Sequence, residues 1–563
     1  MSKVYLLDYG AGNWQSLVNA IEKLGYSIEK IKKPDDIAKA DKLILPGVGH
    51  FKHCLSKLEE FIPAIRKHIE SGKPFMGICV GMQAVFAGSS EDPSQPGFGL
   101  IQGKLERFDD THKSVPHIGW NSANTSSKSF YDLRPESKYY YVHSYMYPYT
   151  PGELEGQGWT VATGIYGEET FVGAAAKGNI VVTQFHPEKS GAAGLRLLRS
   201  FLTGAGQKTL GQTAHGPAPT GGLTRRIIAC LDVQADLARG VPIVTKGKGY
   251  DVRDDGDDAG NIRNLGDPVE LAQRYYEQGA DEVTFLNIKA FQVSPLGDQP
   301  MVQMIRDAAR TVFVPLTIGG GIKDSVATDG RSRVPALVIA DKYFEAGADK
   351  VSIGSDAVDA AREYYGSGGK LSGTTSIEQI ADRYGRQAVV ISIDPKRVYV
   401  ANANDNDNDN ATTTGHHHTI RTKFPGPNGE EHCWYACTTQ GGRSWENAKD
   451  YPRKPTVDVV ALARAVEATG AGEILLNCID RDGRNSGFDL ELIAQVKGAV
   501  RIPVIASSGA GCPAHFAEVF EQETPADAAL GAGIFHRGEY TVGQVKEHLV
   551  GRGHEVRVVE GGL

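Results

Sequence analysis

A cysteine at a tight turn is the first residue whose surroundings suggest chemistry. In FMGICVGMQ, residues 75–83, an apolar strand runs into Cys79 and a helix-compatible stretch follows. Such a strand-to-helix turn exposes the side chain at its apex, and the helix N-terminus favours a thiolate. Small residues are needed at Gly77 and Gly81 because the turn is sterically tight. The pattern predicts a nucleophile, with a buried structural cysteine as the alternative.

A histidine and a glutamate follow a later strand-like run. In TQFHPEK, residues 183–189, His186 could accept the thiol proton and return it to a leaving nitrogen. Glu188 could orient the imidazole and stabilise its charged form. A lone histidine is most often structural, but together with the cysteine turn the segment predicts a triad of Cys79, His186 and Glu188.

A glycine-rich turn, LPGVGH at residues 45–50, precedes both motifs. Its glycines would let backbone amides face a ligand, as an oxyanion hole requires. The turn therefore predicts an oxyanion site at Gly47, Val48 and Gly49, with an ordinary turn as the alternative.

Two aspartates end strand-like runs in the second half of the chain. Asp232 closes IIACLD and Asp394 closes VISID. Two carboxylates that face one cavity suit general acid–base catalysis. Either aspartate alone could be a helix N-cap or a loop salt bridge, but their repeated placement favours a catalytic pair.

Glycine-rich strand ends recur in the same half of the chain. IGGG at residues 318–321 and SSGAG at 507–511 would expose backbone amides of the kind that bind phosphate. The next runs end in SIGS and GAG, and Lys246 could add positive charge to one site. The pattern predicts a ligand with a phosphate at each end, with tight packing as the alternative. The predicted phosphate-binding residues are Gly320, Gly321, Gly354, Ser355, Gly509, Ala532 and Gly533.

The elements that must position these residues fall into two domains. Apolar runs alternate with helical patterns over residues 1–203, which predicts an α/β domain with a mainly parallel sheet. Residues 204–222, rich in Gly, Pro, Thr and Ala, predict a linker. Eight strand-like runs within residues 223–563 predict a (β/α)8 TIM barrel, with an open doubly wound sheet as the alternative.

The barrel half is internally repetitive, apart from one segment. Each half has an Asp-ended strand and a later Gly-rich strand end, which predicts two half-barrels with equivalent sites. Residues 401–418 are a low-complexity run of Asn, Asp, Thr and His that should form a solvated surface loop.

Composition excludes several classes of function. A net charge of −8 is mild for 563 residues, so nucleic acid is not an expected partner. We expect neither a signal peptide nor a membrane-spanning segment. Seven thinly spread cysteines favour a reducing compartment, and we expect a cytoplasmic protein. Cys433, Cys437 and His432 could be read as metal ligands, but no second pair follows, so we expect no metal and no cofactor.

The first domain resembles the class I glutamine amidotransferases over nearly all of residues 1–203, through the three motifs above. The resemblance implies that Cys79 attacks the glutamine amide carbon, that ammonia leaves, and that water releases glutamate from the thioester. It also implies that Gly81 and Gln83 lie near the glutamine, with Val48 and Gly49 at the oxyanion hole.

The second domain resembles the cyclase barrel of the imidazole glycerol phosphate synthase family from about Thr224 to Gly562. The matching motifs are RIIACLDV, RNLGDPVELA, DEVTFLNI, IGGGI, DKVSIGS, ISIDPKR, AGEILLNCIDRDG and ASSGAG. The resemblance implies that ammonia converts phosphoribulosyl-formimino-aminoimidazole carboxamide ribotide to imidazole glycerol phosphate and aminoimidazole carboxamide ribotide, in histidine biosynthesis. Asp232 and Asp394 would be the acid–base pair, and Lys246, Asp482 and Gly483 would bind the substrate.

The same resemblance implies a path for ammonia through the barrel. Four charged residues at strand starts match the charged gate of the family: Arg226, Glu282, Lys350 and Glu473. Without the resemblance, such a ring would suggest only stabilising salt bridges. Lys189 and Asp349 match an interdomain pair. Two residues depart from the family pattern, because Asn287 stands where aspartate is common and Ser508 where glycine is frequent.

Two other functions remain open on the sequence alone. The barrel could act on another bis-phosphorylated acceptor, as an isomerase-like relative would. The chain could also be a catalytically silent glutamine-binding regulator, although Cys79, His186 and Glu188 are all present. We expect small-molecule substrates and no need for a separate subunit.

Overall fold

The computed structural model describes residues 3–7, 10, 14–125, 130–134, 136–209, 221–236, 241–246, 263–288, 299–326, 333–402, 417–439 and 456–561. The strands of the first domain are β1 (Val4–Leu7), β2 (Ile28–Ile31), β3 (Lys42–Leu45), β4 (Phe75–Ile78), β5 (Phe86–Ser89), β6 (Asp92–Pro96), β7 (Ile101–Arg107), β8 (His117–Asn121), β9 (Tyr139–His143), β10 (Tyr145–Met146), β11 (Thr160–Tyr166), β12 (Glu169–Lys177) and β13 (Ile180–Thr183). Its helices are α1 (Trp14–Lys23), α2 (Phe51–Leu58), α3 (Ile62–Glu70), α4 (Val80–Gln83), α5 (Gly191–Thr203) and α6 (Ala205–Thr209).

A seven-stranded sheet in the order β11-β12-β13-β4-β3-β1-β2 forms the centre of the first domain. Strands β13, β4, β3, β1 and β2 run parallel, and β11 and β12 form an antiparallel edge. Strand β4 pairs with β13 so that Ile78 lies opposite Thr183. Because parallel strands end at one edge of the sheet, this register brings the segments after Ile78 and after Thr183 side by side.

In the second domain the strands are β14 (Arg226–Asp236), β15 (Val241–Lys246), β16 (Arg263–Gly266), β17 (Glu282–Asn287), β18 (Leu316–Gly319), β19 (Ser325–Val326), β20 (Arg333–Val334), β21 (Lys350–Ile353), β22 (Val389–Ile393), β23 (Lys396–Val400), β24 (Ile420–Arg421), β25 (His432–Cys437), β26 (Val457–Asp458), β27 (Glu473–Asn477), β28 (Val504–Ser507) and β29 (Ala528–Gly531). The helices are α7 (Pro268–Glu277), α8 (Gln299–Thr311), α9 (Ala336–Ala346), α10 (Ser355–Gly366), α11 (Ser376–Tyr384), α12 (Val459–Thr469), α13 (Leu490–Ala499), α14 (Pro513–Phe520), α15 (Gly533–His536) and α16 (Val542–Gly551).

Eight parallel strands close into a barrel in the order β14-β17-β18-β21-β22-β27-β28-β29, and β29 pairs with β14. The predicted TIM barrel is therefore confirmed, and this closure excludes the open doubly wound sheet. Strands β14 and β22 are the first and fifth of the eight, so Asp232 on β14 and Asp394 after β22 come from opposite sides of the barrel.

Two additions to the barrel were not expected. Strands β15 and β16 extend β14 as antiparallel neighbours, and β23, β24, β25 and β26 form a separate sheet. The last two residues of the predicted loop over residues 401–418 lie outside helices and strands and make defined contacts. His417 stacks on Trp434 at 3.8 Å, and His418 Nδ1 lies 2.8 Å from Asp458 Oδ1. Residues 403–416 lie outside the described residues.

The two domains pack directly against each other. Ile118, Trp120 and Tyr140 belong to the apolar core of the barrel side, whereas Phe313 of the barrel joins the core of the first domain. Trp120 Nε1 donates a hydrogen bond to the Asp281 carbonyl at 3.0 Å. Within the predicted linker, residues 205–209 form helix α6, and residues 210–220 lie outside the described part of the chain. Across the described ranges, no helix has the length and apolar character required to cross a bilayer.

Candidate active sites

The Cys79 turn has the strained geometry of a nucleophile elbow. Cys79 has φ 49° and ψ −107° between β4 and α4, a backbone region that non-glycine residues rarely adopt. A Cβ on Gly81 would lie 2.1 Å from the Leu45 carbonyl oxygen, and one on Gly77 would lie 2.5 Å from the Gly81 carbonyl oxygen. The turn is therefore compatible only with glycine at these two positions.

The predicted triad is assembled at the parallel edge of the first sheet. Cys79 N donates to the Thr183 carbonyl at 2.7 Å, which ties the elbow to the end of β13. His186 Nδ1 lies 2.7 Å from Glu188 Oε1, and Cys79, His186 and Glu188 are all buried. Since Glu188 occupies Nδ1, Nε2 is the ring nitrogen left to exchange a proton with the thiol.

Electrostatics favour a charged imidazole in this triad. Burial opposes protonation of His186, but the Glu188 carboxylate and the Cys79 sulfur outweigh it, and the pKa of His186 is raised well above its ordinary value. An imidazolium beside a thiolate is the pairing that activates a cysteine nucleophile. His186 can therefore hold the proton that the leaving nitrogen must receive.

The glutamine-binding candidates surround this elbow. Gly47 packs on it closely, because a Cβ there would lie 2.5 Å from Gly81 N. Gly49 has φ 113°, a conformation that suits glycine, and Val48 lines the cavity described below. Gln83 is buried, and its Nε2 donates to the Tyr145 carbonyl and to Gln184 Oε1, each at 3.2 Å.

The barrel carboxylates differ in environment. Burial, and secondarily the negative charge of Asp482, raise the pKa of Asp232 to about 7. Asp394 Oδ1 accepts a hydrogen bond from Asn477 Nδ2 at 3.0 Å, and the same amide contacts Ser392 Oγ. A carboxyl whose pKa is raised towards neutrality suits a group that transfers a proton. Asp482 therefore lies close enough to Asp232 for its charge to affect that pKa.

The glycine-rich segments lie at the carboxyl ends of barrel strands, the end at which barrel active sites form. Gly320 has φ 98°, and a Cβ there would lie 2.3 Å from the Asn287 carbonyl oxygen. A Cβ on Gly509 would lie 2.2 Å from the Gly487 carbonyl oxygen, and Ser508 has φ 70°. Tight packing thus accounts for part of the glycine pattern, and it leaves phosphate binding by the same backbone open.

Two helix N-termini stand beside these glycine-rich segments. Gly354 precedes helix α10, which begins at Ser355, and Ala532 precedes helix α15, which begins at Gly533. The free N–H groups of a helix start are ready partners for an anion. Gly483 follows Asp482 with φ 68°. Lys246 ends strand β15, but its side chain lies outside the described residues.

The four predicted gate residues form one closed ring of charge. Each begins a barrel strand and is at most about 1% exposed: Arg226, Glu282, Lys350 and Glu473. Arg226 contacts Glu282 at 3.2 Å and also pairs with Glu473, and Lys350 contacts Glu282 at 2.6 Å and Glu473 at 2.8 Å. The ring has two positive and two negative members, so the charges balance within it.

One carboxylate of this ring, Glu473, is held ionised by its neighbours. Burial alone would raise the pKa of Glu473, but the charges of Arg226 and Lys350 outweigh it and lower that pKa. The pKa of Arg226 is raised, because its two carboxylate partners outweigh its burial. A dry ring of four charges is costly unless fully paired, and here each member has two partners of opposite sign.

A small cavity of about 30 Å³ lies between the predicted triad and this ring. It is lined by residues of both domains, namely Val48, Tyr140, Val142, His186, Lys189, Phe344, Asp349, Lys350, Tyr384, Gln387 and Ala388. Its volume suits a molecule as small as water or ammonia. Lys189 Nζ pairs with Asp349 Oδ2 at 2.7 Å beside it, so the predicted interdomain pair forms.

Three residues near these centres were not predicted from the sequence. Tyr140 is fully buried between His186 and the ring; burial, with help from Glu282, raises its pKa well above the ordinary value. Gln184 contacts Cys79, and Asn477 contacts Asp394. Each lies on or beside a buried strand, where polar and aromatic residues look like ordinary core. Only their positions relative to the predicted catalytic residues distinguish them.

The suspected metal ligands do not gather in the described structure. Cys433 and Cys437 are buried on β25, and His432 precedes them on the same strand. Over the described ranges, no three His, Cys, Asp or Glu side chains cluster as metal ligands would.

Comparisons with known proteins match both halves of the chain. The family profile "Glutamine amidotransferase class-I" matches residues 5–205, and "Histidine biosynthesis protein" matches residues 226–420 and 440–541. Imidazole glycerol phosphate synthase hisHF of Emericella nidulans is 59% identical, over 100% of both chains.

Two further relatives carry the same fusion name. Imidazole glycerol phosphate synthase hisHF of Schizosaccharomyces pombe is 52% identical over 97% of this chain and 98% of its own. The Arabidopsis thaliana protein, named imidazole glycerol phosphate synthase hisHF, chloroplastic, is 47% identical over 99% of this chain and 90% of its own. The chain belongs to the family of fused imidazole glycerol phosphate synthases of histidine biosynthesis, in which a class I glutamine amidotransferase domain and a TIM barrel share one polypeptide.

Proposed function

We propose that this chain makes imidazole glycerol phosphate in two coupled steps, with glutamine as the nitrogen source. The first domain hydrolyses glutamine to glutamate and ammonia. The barrel uses that ammonia to convert phosphoribulosyl-formimino-aminoimidazole carboxamide ribotide to imidazole glycerol phosphate and aminoimidazole carboxamide ribotide. The observation that carries the proposal is the cavity between His186 and Lys350, because it lies between the triad and the charged ring where the barrel strands begin.

In the first step, Cys79 is the nucleophile. Its sulfur attacks the glutamine amide carbon, and His186 gives a proton to the leaving nitrogen, so that ammonia departs and a thioester remains. Water then attacks the thioester, with His186 as the base, and releases glutamate and the free thiol. Glu188 keeps the imidazole oriented through its 2.7 Å contact with Nδ1. The Val48 and Gly49 amides stabilise the oxyanion, and Gly81 and Gln83 line the glutamine site.

In the second step, Asp232 and Asp394 act as the acid–base pair of the barrel. Their placement on opposite sides of the barrel and the raised pKa of Asp232, about 7, support this assignment. The two phosphates of the substrate bind at the glycine-rich strand ends and the adjoining helix starts, with Lys246, Asp482 and Gly483 beside the substrate. The duplicated placement of these segments matches a ligand with a phosphate at each end.

Ammonia passes from the first centre to the second inside the protein. In neutral water ammonia is mostly ammonium, which has no lone pair for attack, so a dry path preserves the nucleophile. The cavity leads from the triad to the ring of Arg226, Glu282, Lys350 and Glu473. The ring is fully paired in this structure, so it must part for ammonia to enter the barrel.

No separate subunit is required, because both domains belong to one chain. We place the enzyme in the cytoplasm on the basis of its reduced cysteines, although one relative is named chloroplastic. All seven cysteines are thiols, outside any disulfide, in the structure.

The decisive experiment supplies the substrate with either glutamine or an ammonium salt and measures imidazole glycerol phosphate. Cys79→Ala should lose the glutamine-dependent reaction and keep the ammonium-dependent one. Cys54→Ala is the matched control, because Cys54 is another buried thiol of the same domain. If the parent makes no imidazole product from either source, the barrel acts on another acceptor; if glutamine is never hydrolysed, the first domain is a silent regulator.

A further inference from the structure

The side chain of Gln184 lies between the predicted nucleophile and a glutamine-site residue. Gln184 follows β13 directly and is fully buried. Its Nε2 atom lies 3.5 Å from Cys79 Sγ, and its Oε1 atom lies 3.2 Å from Gln83 Nε2. Its backbone N–H donates to the Gly173 carbonyl at 2.8 Å, which fixes the residue within the sheet.

A backbone carbonyl determines which way both amide groups point. An amide side chain can offer either its oxygen or its NH2 group to a neighbour, so its orientation follows from the partners. Gln83 contacts the Tyr145 carbonyl oxygen, which can only accept, so Gln83 must present NH2 there. The same NH2 group also donates to Gln184, so the atom of Gln184 that accepts this hydrogen bond is its side-chain oxygen. The NH2 group of Gln184 therefore faces the Cys79 sulfur.

We propose that Gln184 is a positioning residue that donates an N–H to the Cys79 thiolate and thereby favours the ionised nucleophile. The inference rests on the proposed role of Cys79. A thiolate, and not a thiol, is the nucleophilic form of cysteine, and an anion removed from water needs hydrogen-bond donors in place of water. A donor to a charged acceptor contributes about twice as much as one to a neutral acceptor.

The effect of Gln184 on ionisation of the Cys79 thiol can be separated from the effects of the titrating groups around it. His186 is the charged group that interacts with Cys79, with Glu188 behind it. His143 on β9 lies beyond His186 and is neutral, because burial lowers its pKa to about 3. Gln184 carries no charge, so its loss should shift the ionisation of the thiol without adding or removing a titrating group.

The test is the pH dependence of alkylation of Cys79 by iodoacetamide in the full chain, with Cys79→Ala used to subtract labelling of other thiols. Gln184→Met keeps the size of the side chain and removes the donor, and Gln184→Asn draws the donor back by one carbon. We expect half-maximal alkylation of both variants to move up by about one pH unit, which is about a tenfold slower reaction near pH 7.

Thr183→Val is the matched control. Thr183 is the neighbouring residue, is fully buried, and donates through Oγ1 to the Phe185 carbonyl at 2.9 Å without touching the sulfur. This variant loses a buried side-chain hydrogen bond of the same strand but keeps the Thr183 backbone carbonyl that accepts from Cys79 N, so its alkylation midpoint should equal that of the parent. Ammonium-dependent synthesis shows that each variant chain has folded.

The outcomes separate this inference from the proposed function. An unchanged midpoint in Gln184→Met and Gln184→Asn overturns the inference, and so does an equal shift in Thr183→Val, which would report general loosening. If either Gln184 variant fails to fold, the other decides. If Cys79 of the parent is not labelled at any pH, the proposed nucleophile itself is wrong.

Discussion

Lys189 Nζ lies 2.7 Å from Asp349 Oδ2, so an ion pair joins the triad segment of one domain to the residue that precedes the ring member Lys350 in the other. Lys189 follows Glu188 directly, and Asp349 precedes Lys350. The Lys189 side chain is only 3% exposed. The pair therefore links the start of the barrel strand at Lys350 to the segment that carries the triad.

Lys189→Met should weaken the glutamine-dependent reaction and spare the ammonium-dependent one. The substitution keeps the volume but leaves Asp349 without this cation beside the ring, and removing one partner of a buried pair costs about 3–5 kcal/mol. We expect at least a roughly tenfold fall in glutamate release in the presence of the barrel substrate, which corresponds to about 1.4 kcal/mol.

A second interdomain ion pair supplies the control for this variant. Lys138 Nζ pairs with Glu555 away from the triad, and the Lys138 side chain is 9% exposed. Lys138→Met should lower the temperature of unfolding without changing glutamine use. An equal loss of glutamate release in both variants would mean that Lys189 acts only through domain adhesion.

Removing the charge of Asp482 should shift the pH profile of the barrel reaction to lower pH. Burial and the Asp482 charge together raise the pKa of Asp232 to about 7. Asp482→Asn removes the like charge, so the pKa of Asp232 falls and its limb in the profile of kcat moves to a more acidic pH. The sign is the same whether Asp232 acts as acid or base, because only the midpoint moves.

The measurement uses saturating substrate and glutamine as nitrogen source, because the ratio of ammonia to ammonium itself changes with pH. Asp480→Asn is the matched control, since Asp480 instead binds Arg397 N and lies outside the causes of the Asp232 shift. Asp232→Asn should abolish the limb together with synthesis from either nitrogen source. A limb that stays at the parental pH in Asp482→Asn would contradict the electrostatic assignment.

The sequence sufficed for those parts of the fold and site that depend on local pattern. Apolar runs ending in Asp232 and Asp394 indicated barrel strands, and the glycines around Cys79 indicated a turn that has no room for Cβ atoms. These features depend only on residues that are consecutive in the chain. The charged residues at the starts of four strands were interpreted only through family resemblance, because their spacing in the chain does not reveal a closed ring.

Other features depend on contacts between distant segments and could not be read from the chain. Gln184 became distinctive only because Gln83 and the Tyr145 carbonyl fix its amide orientation across two elements. Tyr140 lies in a run of aromatic residues that resembles any buried strand, and only the structure shows that it lines a cavity completed by the other domain. The short strands β23 to β26 flank a polar insert whose composition suggested only a loop.

Gly81→Ala adds only one methyl group, but it should strongly impair glutamine hydrolysis. A methyl group there would lie 2.1 Å from the Leu45 carbonyl oxygen, so the elbow must move and carry Cys79 out of place. Gly88→Ala is the control, because the nearest atom to a Cβ at that position is 3.8 Å away. We expect loss of glutamine hydrolysis and about 1–3 kcal/mol of destabilisation in the first variant, and a change within about 0.5 kcal/mol in the second. Equal thermal unfolding and equal glutamate release in the two variants would show that the elbow tolerates the displacement.

Lys350→Met should uncouple the two reactions by leaving the charged ring unbalanced. Arg226 would then face both Glu282 and Glu473, and one buried carboxylate would lack full compensation. We expect the ring to loosen and admit water, so that ammonia escapes before it reaches the barrel.

The ratio of glutamate released to imidazole glycerol phosphate formed should rise from about one, the value that two coupled steps require, to several-fold higher. Ammonium-dependent synthesis should change much less, because that nitrogen need not cross the ring from the glutaminase side. Lys497→Met, which breaks the 2.6 Å pair with Asp527 and a contact with Ser114 of the first domain, controls for loss of stability and of domain contact away from the ring. A ratio that stays near one in Lys350→Met while its unfolding temperature falls as in Lys497→Met would leave the ring a purely structural cluster.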